Sequence, residues 1–239
     1  MKVVHVIEGL DDSYGGPAKS VPYLAHYCRP YDIEPHLLST TYTGDDTNEA
    51  IAELGLPWEI FDVVGPKKLR YSPDLRDRLF QLGGENRGSV IVHVHNLWNY
   101  TSWVSFQVCR AHGLPLVVSP RGSLFPWSLS QGRLRKKLAW MMFQKKVLNA
   151  ARIHTTGEAE AEEVASHNLG TPIFCVRNGV ELDAIQLPKV SKAEGAKILG
   201  VDPLRRYVLF MSRLHKKKGL EIFLEAWAKC QPLPGWGLI

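Results

Sequence analysis

The sequence predicts an α/β protein built on a doubly wound parallel sheet, followed by the opening of a second unit of the same kind. Three observations predict it. Short, mostly apolar and β-branched runs such as KVVHVI (2–7) and SVIVHVH (89–95) recur along the chain. Stretches of helical periodicity separate them, which implies parallel strands covered on both faces. Hydrophobic residues make up 45% and charged residues 22%, ordinary for a globular protein and far from a disordered one.

Lys2 to Ile7 reads as a buried strand bounded by the turn EGLDDSYGGP. In AKSVPYLAHYC, Val21, Leu24, Ala25 and Cys28 fall at helical spacing, and Pro17 sits where a first-turn proline is tolerated. A strand is expected around Ile33 to Ser39, a helix around Asn48 to Leu54 and a third strand over Trp58 to Val63. Ser89 to His95 is the fourth strand and Leu114 to Ser119 the fifth, with helical character over Ser102 to His112 between them. A long amphipathic segment follows from Leu129 to Ala150, with Leu134, Leu138, Met141, Met142 and Leu148 expected on one side. Arg152 to Thr155 and Thr171 to Val176 read as two further strands around the helix GEAEAEEVASHN. Short strands joined by right-handed crossovers give a Rossmann-like arrangement for residues 1–181.

Residues 182–205, with Pro188, Pro203 and scattered charge, read as a linker. Residues 206–239 start afresh: a strand at Tyr207 to Met211, a helix at Gly219 to Cys230 and another strand from Trp236. A unit that ends in its second strand leaves edges uncovered, so the chain is expected to stop early in a second domain.

Several classes are excluded. No internal repeat is visible. His5 and Glu8 interrupt the N-terminal apolar run too early for a signal-peptide core, and nowhere do about 18 apolar residues run together. Cys28, Cys109, Cys175 and Cys230 form no CxxC pair and are expected as buried, reduced thiols. A cytoplasmic protein is expected. The net charge of +5 is unevenly spread, because no Asp or Glu occurs between Glu85 and Glu158. Arg87, Arg110, Arg121, Arg133, Arg135, Lys136, Lys137, Lys145, Lys146 and Arg152 fall in that stretch. Such a field concentrates anionic partners, unless it is merely a solvated helix face.

Four stretches can carry chemistry. Gly15-Gly16 precedes the first helix, where glycine lets the backbone approach a phosphate, although such turns are often only turns. His93, His95, Asn96 and Trp98 stand at the end of the fourth strand, where the ligand crevice of such sheets opens. His93 and His95 point the same way, yet the spacing offers no third ligand, so no metal is expected. His95 and Asn96 suit polar substrate contact or a structural role. Arg121, Gly122 and Ser123 after the fifth strand combine a guanidinium with exposed amides, suited to phosphate or a sugar hydroxyl. Arg213 and Lys218 flank a basic turn before the helix at Gly219, a receptor for a diphosphate or simply a basic surface turn.

Taken together, GGPAKS (15–20), HVHNLW (93–98), PRGSL (120–124), HTTGEAE (154–160), RNGVEL (177–182) and SRLHKKKGL (212–220) resemble the retaining family-4 glycosyltransferases. Six segments in family order, spanning nearly the whole chain, make the resemblance specific. It implies a GT-B fold, in which an acceptor-side Rossmann-like domain faces a donor-binding one. It implies transfer of a sugar from a nucleotide-sugar donor to a polysaccharide or lipid-linked acceptor. Arg213 and Lys218 then match the pair that grips the donor diphosphate, and Gly15 and Gly16 the loop that closes on it. His95, Asn96, Trp98, Arg121, Gly122 and Ser123 fall on the acceptor side, with His95 also in a catalytic place. No metal or other cofactor is implied, because the cations neutralise the leaving group; losing one such donor typically costs about 3–4 kcal/mol of barrier.

Many members carry a histidine after the fifth strand where this sequence reads Pro120-Arg121-Gly122, and His95 is expected to cover part of that role. The family's glutamate pair would lie beyond Ile239, so the 239-residue chain is expected to show little or no turnover. The segment 133–146 mixes cations with Trp140, Met141, Met142 and Phe143, suiting peripheral attachment to anionic lipid at the inner membrane face. A sugar-nucleotide epimerase of the same fold, or a non-catalytic nucleotide- or polyanion-binding module, are the alternatives. No recognised nucleic-acid motif accompanies the basic stretch, so nucleic acid is not an expected partner.

Overall fold

The computed structural model describes residues 1–11, 14–42, 49–85, 88–180, 190–212, 214–230 and 234–239. They form two compact units, Met1–Val180 and Glu181–Ile239.

In the first unit seven parallel strands lie in the order β3-β2-β1-β4-β5-β6-β7. They are β1 (Lys2–Ile7), β2 (Glu34–Thr41), β3 (Trp58–Asp62), β4 (Val90–His95), β5 (Leu116–Ser119), β6 (Arg152–Thr155) and β7 (Ile173–Cys175). The expected α/β, doubly wound Rossmann-like sheet is therefore present. The order reverses between β1 and β4, where open sheets of this kind hold their ligands beyond the carboxyl ends of the strands.

Alternation along each strand builds the two faces. Val4, Val6, Val92, Val94, Val118 and Ile153 point into the larger core. There they meet α3 (Pro73–Glu85), α4 (Tyr100–His112) and α7 (Lys145–Ala150) through residues such as Leu79, Val104 and Leu148. On the other face Ile7 and Leu37 pack with Val21 and Ala25 of α1 (Gly16–Tyr27) and Ile51 of α2 (Glu49–Leu54).

Several local features differ from the expectations. The helix α3 had no counterpart in the sequence reading, although Leu75, Leu79 and Leu82 lie at helical spacing and are buried, and Asp74 suits its first turn. Its Gly83-Gly84 pair and dense charge mask the pattern. The segment 129–150 is not one helix: α5 (Pro126–Ser130) and α6 (Arg133–Ala139) are separated by Gly132 at φ 68°, and Trp140–Gln144 makes a π turn before α7. The extra residue of that turn rotates the helix phase. Leu134 and Leu138 before the turn and Met141 and Met142 within it are exposed, at 54–83%, whereas Gln144, Val147 and Leu148 are buried. Cys175 on the edge strand β7 and Cys230 are exposed, so only Cys109 keeps the expected full burial.

The second unit contains α9 (Lys192–Leu199), β8 (Arg206–Val208), α10 (Leu220–Cys230) and β9 (Trp236–Leu238), with α8 (Glu158–Ser166) closing the first unit before β7. The helix α9 lies within the stretch read as a linker, and its capping box, Ser191 with Glu194, was legible as S-x-x-E. Strands β8 and β9 pair in parallel around α10.

Candidate functional site

Glu8 follows β1 and Asn96 follows β4, on either side of the point where strand order reverses. Asn96 Nδ2 donates to one oxygen of the Glu8 carboxylate over 3.1 Å, and Asn99 Nδ2 donates to the other over 2.6 Å. Asn99 also caps α4, its Oδ1 accepting from the Ser102 amide. The loop carrying these asparagines is strained: Asn96 has φ 80° and Trp98 φ 74°. Asparagine tolerates that region, but a residue as bulky as Trp98 pays about 1–3 kcal/mol to be there. Gln144, turned inward by the π turn, holds Trp98 by accepting from its amide at 2.9 Å, and the indole Nε1 donates to the Ser123 carbonyl at 3.2 Å. Burial pushes the Glu8 carboxyl above its usual range, opposed by the Asn99 hydrogen bond, the charge of Arg70 and the Asn96 hydrogen bond. Arg70 is itself stacked between the rings of Tyr14 and Tyr42, 4.6 and 4.0 Å from their centroids, beside the glycine turn.

Behind this loop a polar row crosses the sheet interior: His5 on β1, His93 and His95 on β4, Ser119 on β5 and His154 on β6. His5 pairs in register with His93, and His95 with Ser119. The hydrogen bonds assign the protons. Arg121 can only donate, and two of its nitrogens lie 3.2 and 3.3 Å from His95 Nδ1, so His95 carries its proton on Nε2. That Nε2 donates to His5 Nδ1 at 3.1 Å, leaving the His5 proton on Nε2, where no partner is found among the described residues. On the far side His154 Nε2 donates to the Val176 carbonyl, so Ser119 Oγ donates to His154 Nδ1 and accepts from His93 Nε2. Burial first, then neighbouring charge, holds these rings neutral: His5 is lowered to about 3, and His93 and His95 lie well below the histidine norm.

Nitrogens of His5, His93 and His95 lie within 4.8 Å of one another, a ligand trio that the sequence spacing did not offer, since His5 comes from another strand. The donor set does not fit a cation. With Arg121 donating to Nδ1, His95 Nε2 bears a proton rather than a free pair, and the guanidinium adds positive charge with no carboxylate in the row.

Arg121 (φ 50°) and Gly122 (φ 75°) form the turn after β5. Arg121 Nη1 donates to Ser20 Oγ in the first turns of α1, which ties this turn to the helix that Gly15 (φ 72°) introduces. Burial lowers Arg121 to about 10, opposed by the charge of Glu160. Glu160 of α8 accepts from the Gly122 amide at 2.6 Å and from the Thr156 amide at 2.8 Å, tying the β5 and β6 loops together.

Of the site residues expected from sequence, the structure brings His95, Arg121 and Gly122 into one network and Asn96, Trp98 and Ser123 into the adjoining loop. His95 has no exposed surface, so Arg121 stands between it and the crevice. Lys218 is exposed in the second unit, at the end of the short turn Lys216–Lys218. Arg213 lies outside the described residues, as do Arg87 and residues 181–189. Glu8, Asn99, Gln144 and Glu160 were missed. For Glu8 a signal existed, a carboxylate directly after a buried strand; for Gln144 there was none.

A parallel sheet of this order, with glycine and polar turns at its carboxyl edge, defines a Rossmann-like ligand-binding domain. Residues 15–179 match the model of the Glycosyl transferase 4-like domain, and the chain belongs to that family. It is 28% identical over 106 residues to the lipopolysaccharide core biosynthesis mannosyltransferase LpsB of Rhizobium meliloti (strain 1021), a match covering 44% of this chain and 28% of LpsB. Among solved structures it resembles Anabaena Alr3699/HepE in complex with UDP-glucose, with TM-score 0.64 and 19% identity over the whole chain and 59% of HepE. UDP-GlcNAc 2-epimerase from Neisseria meningitidis bound to UDP-GlcNAc follows at TM-score 0.57 and 14% identity, with 64% of that chain covered. These likenesses place the chain in the GT-B fold class, and it spans about 60% of the length of those structures. Among the described residues no helix is long and apolar enough to cross a membrane.

Proposed function

We propose that this chain is the acceptor-side part of a retaining glycosyltransferase that moves a sugar from a nucleotide-sugar donor to a glycan or lipid-linked acceptor in cell-surface glycan synthesis. The observation that carries the reading is the convergence, in a member of this family, of the Gly15-Gly16 turn, Glu8 and Arg121 at the carboxyl ends of the central strands. Gly16 opens α1, and among the described residues no atom beyond its own helix and chain neighbours lies within 4 Å of where a Cβ would stand, so the backbone is open to a phosphate group there. Arg213 and Lys218 would stabilise the departing diphosphate, whose charge grows as an oxocarbenium-like centre develops. No metal is needed for that step on this reading. Retention would follow from attack on the face that the leaving group vacates, the diphosphate taking the acceptor proton.

The exposed face of α6 and the π turn gives the acceptor side a means of reaching a membrane. Leu134, Leu138, Met141 and Met142 are exposed beside Arg133, Lys137, Lys145 and Lys146, a mixture suited to an anionic lipid surface. This supports a protein working peripherally on the cytoplasmic side of the membrane. The epimerase alternative has the fold likeness in its favour, but the family match favours transfer.

The test is transfer of label from a panel of nucleotide sugars, UDP-glucose included, to membrane-lipid and oligosaccharide acceptors by the polypeptide as its gene encodes it, in the presence of a chelator. Transfer with retained anomeric configuration is expected. An inverted product, or a strict metal requirement, would overturn the mechanism; epimerisation without transfer would overturn the reading.

A further inference from the structure

The geometry points to Glu8 as the acceptor-contacting group of the site: its carboxylate receives hydroxyl hydrogens from a neutral pyranoside lodged at the carboxyl ends of β1 and β4. This rests on the transferase reading above and deepens it by naming the ligand chemistry.

Three observations carry it. Glu8 stands at the reversal of strand order, where the crevice of this sheet type opens. Its two oxygens take one hydrogen bond each, from Asn96 and Asn99, which leaves further acceptor capacity on both, and the residue keeps partial access to solvent. Among the described residues it has no ion-pair partner; Arg70 acts on it only through space. A carboxylate half out of water and held by neutral amides is an expensive way to fill a loop, since a glutamine or an apolar side chain would avoid the desolvation. The strained backbone at Asn96 and Trp98, supported from behind by Gln144, exists to deliver those amides.

The charge of the group selects the ligand. An acceptor-only carboxylate repels phosphate and carboxylate groups and pairs with hydroxyl donors, so a neutral sugar ring with free hydroxyls fits and an anionic one does not. Asn96 and Asn99 are then positioning residues, acting through Glu8.

The test is binding of methyl α-D-glucopyranoside and methyl α-D-mannopyranoside to the 239-residue chain, followed by the carbon-13 shift of the Glu8 carboxyl across pH. Hydroxyl donation favours the ionised form, so a bound glycoside should lower the Glu8 titration midpoint. Glu8→Gln should weaken binding at least about tenfold, the loss expected for a hydrogen bond to a charged group. No binding of either glycoside, a midpoint unmoved at saturation, or equal affinity in Glu8→Gln would overturn the inference. Should Glu8→Gln fail to fold, the midpoint in the unaltered chain decides. Because the readout is binding rather than turnover, a glycoside-dependent midpoint in this chain, with no sugar transfer by the polypeptide as its gene encodes it, would sink the transferase reading and leave this site standing.

Discussion

Two nitrogens of Arg121 converge on Nδ1 of His95, and that contact sets the proton position on His95 and, through it, on His5. A loop cation therefore sets the tautomers of the sheet interior, while burial keeps its rings neutral.

The neutral histidines make stability depend on pH. Each takes up a proton in the unfolded chain near the ordinary value of 6.5, but His5 does so only at about 3 when folded, and His93 and His95 are lowered further than the norm as well. Below 6.5 the unfolded state thus binds more protons, and stability falls as pH falls. The slope should approach about 1.4 kcal/mol per pH unit for each such histidine. Urea unfolding at about pH 7, 6 and 5 measures it. A stability that stays level over that range would show that these rings are not held neutral.

Glu160 ties two loops with charge-assisted hydrogen bonds to the Gly122 and Thr156 amides. Glu160→Ala should cost about 2–4 kcal/mol, read from denaturant midpoints. Glu160→Gln should be only partly tolerated, because its amide must turn a donor toward one of two N–H groups. Parity of the two variants with the parent would remove Glu160 from the network.

Gly15 and Gly16 should separate fold from function. Gly15 adopts φ 72° and ψ −135°, which a side chain strains, so Gly15→Ala should lose about 1–3 kcal/mol. Gly16 is helical with open space around its Cβ position among the described residues, so Gly16→Ala should leave stability within about 1 kcal/mol. If a diphosphate approaches there, sugar transfer by the polypeptide as its gene encodes it should fall at least about tenfold on Gly16→Ala. Full activity in Gly16→Ala would argue against close phosphate approach.

Lys136 already bonds to Ser128 and leans over Trp98, so on the proposed membrane attachment the cations free to meet lipid are its neighbours. Replacing Lys137, Lys145 and Lys146 with glutamine should weaken binding to phosphatidylglycerol vesicles by roughly 100-fold, at about 1 kcal/mol per cation near the surface. Added salt should weaken the unaltered protein in the same direction. Salt-insensitive binding, or none, would detach this face from the membrane.

Much of the architecture was legible in the residues. The strands at Lys2–Ile7, Val90–His95 and Leu116–Ser119 announce themselves by β-branched runs, and the helix after Gly15 by its periodicity. The turns that bear Asn96 and Arg121 were legible too, because they follow such strands. The phase of 129–150 was not, since one π turn displaces every later residue around the axis and leaves no local mark.

By itself the sequence determined the alternation of strand and helix, the glycine turn and the polar residues ending β4 and β5, because propensity and periodicity act over a few neighbours. Only the tertiary structure decided that Glu8 meets Asn96 and Asn99, about ninety positions away, and that His5 joins His93 and His95. Those meetings depend on β1 lying beside β4, and strand order is settled by how whole elements pack rather than by any short stretch of chain.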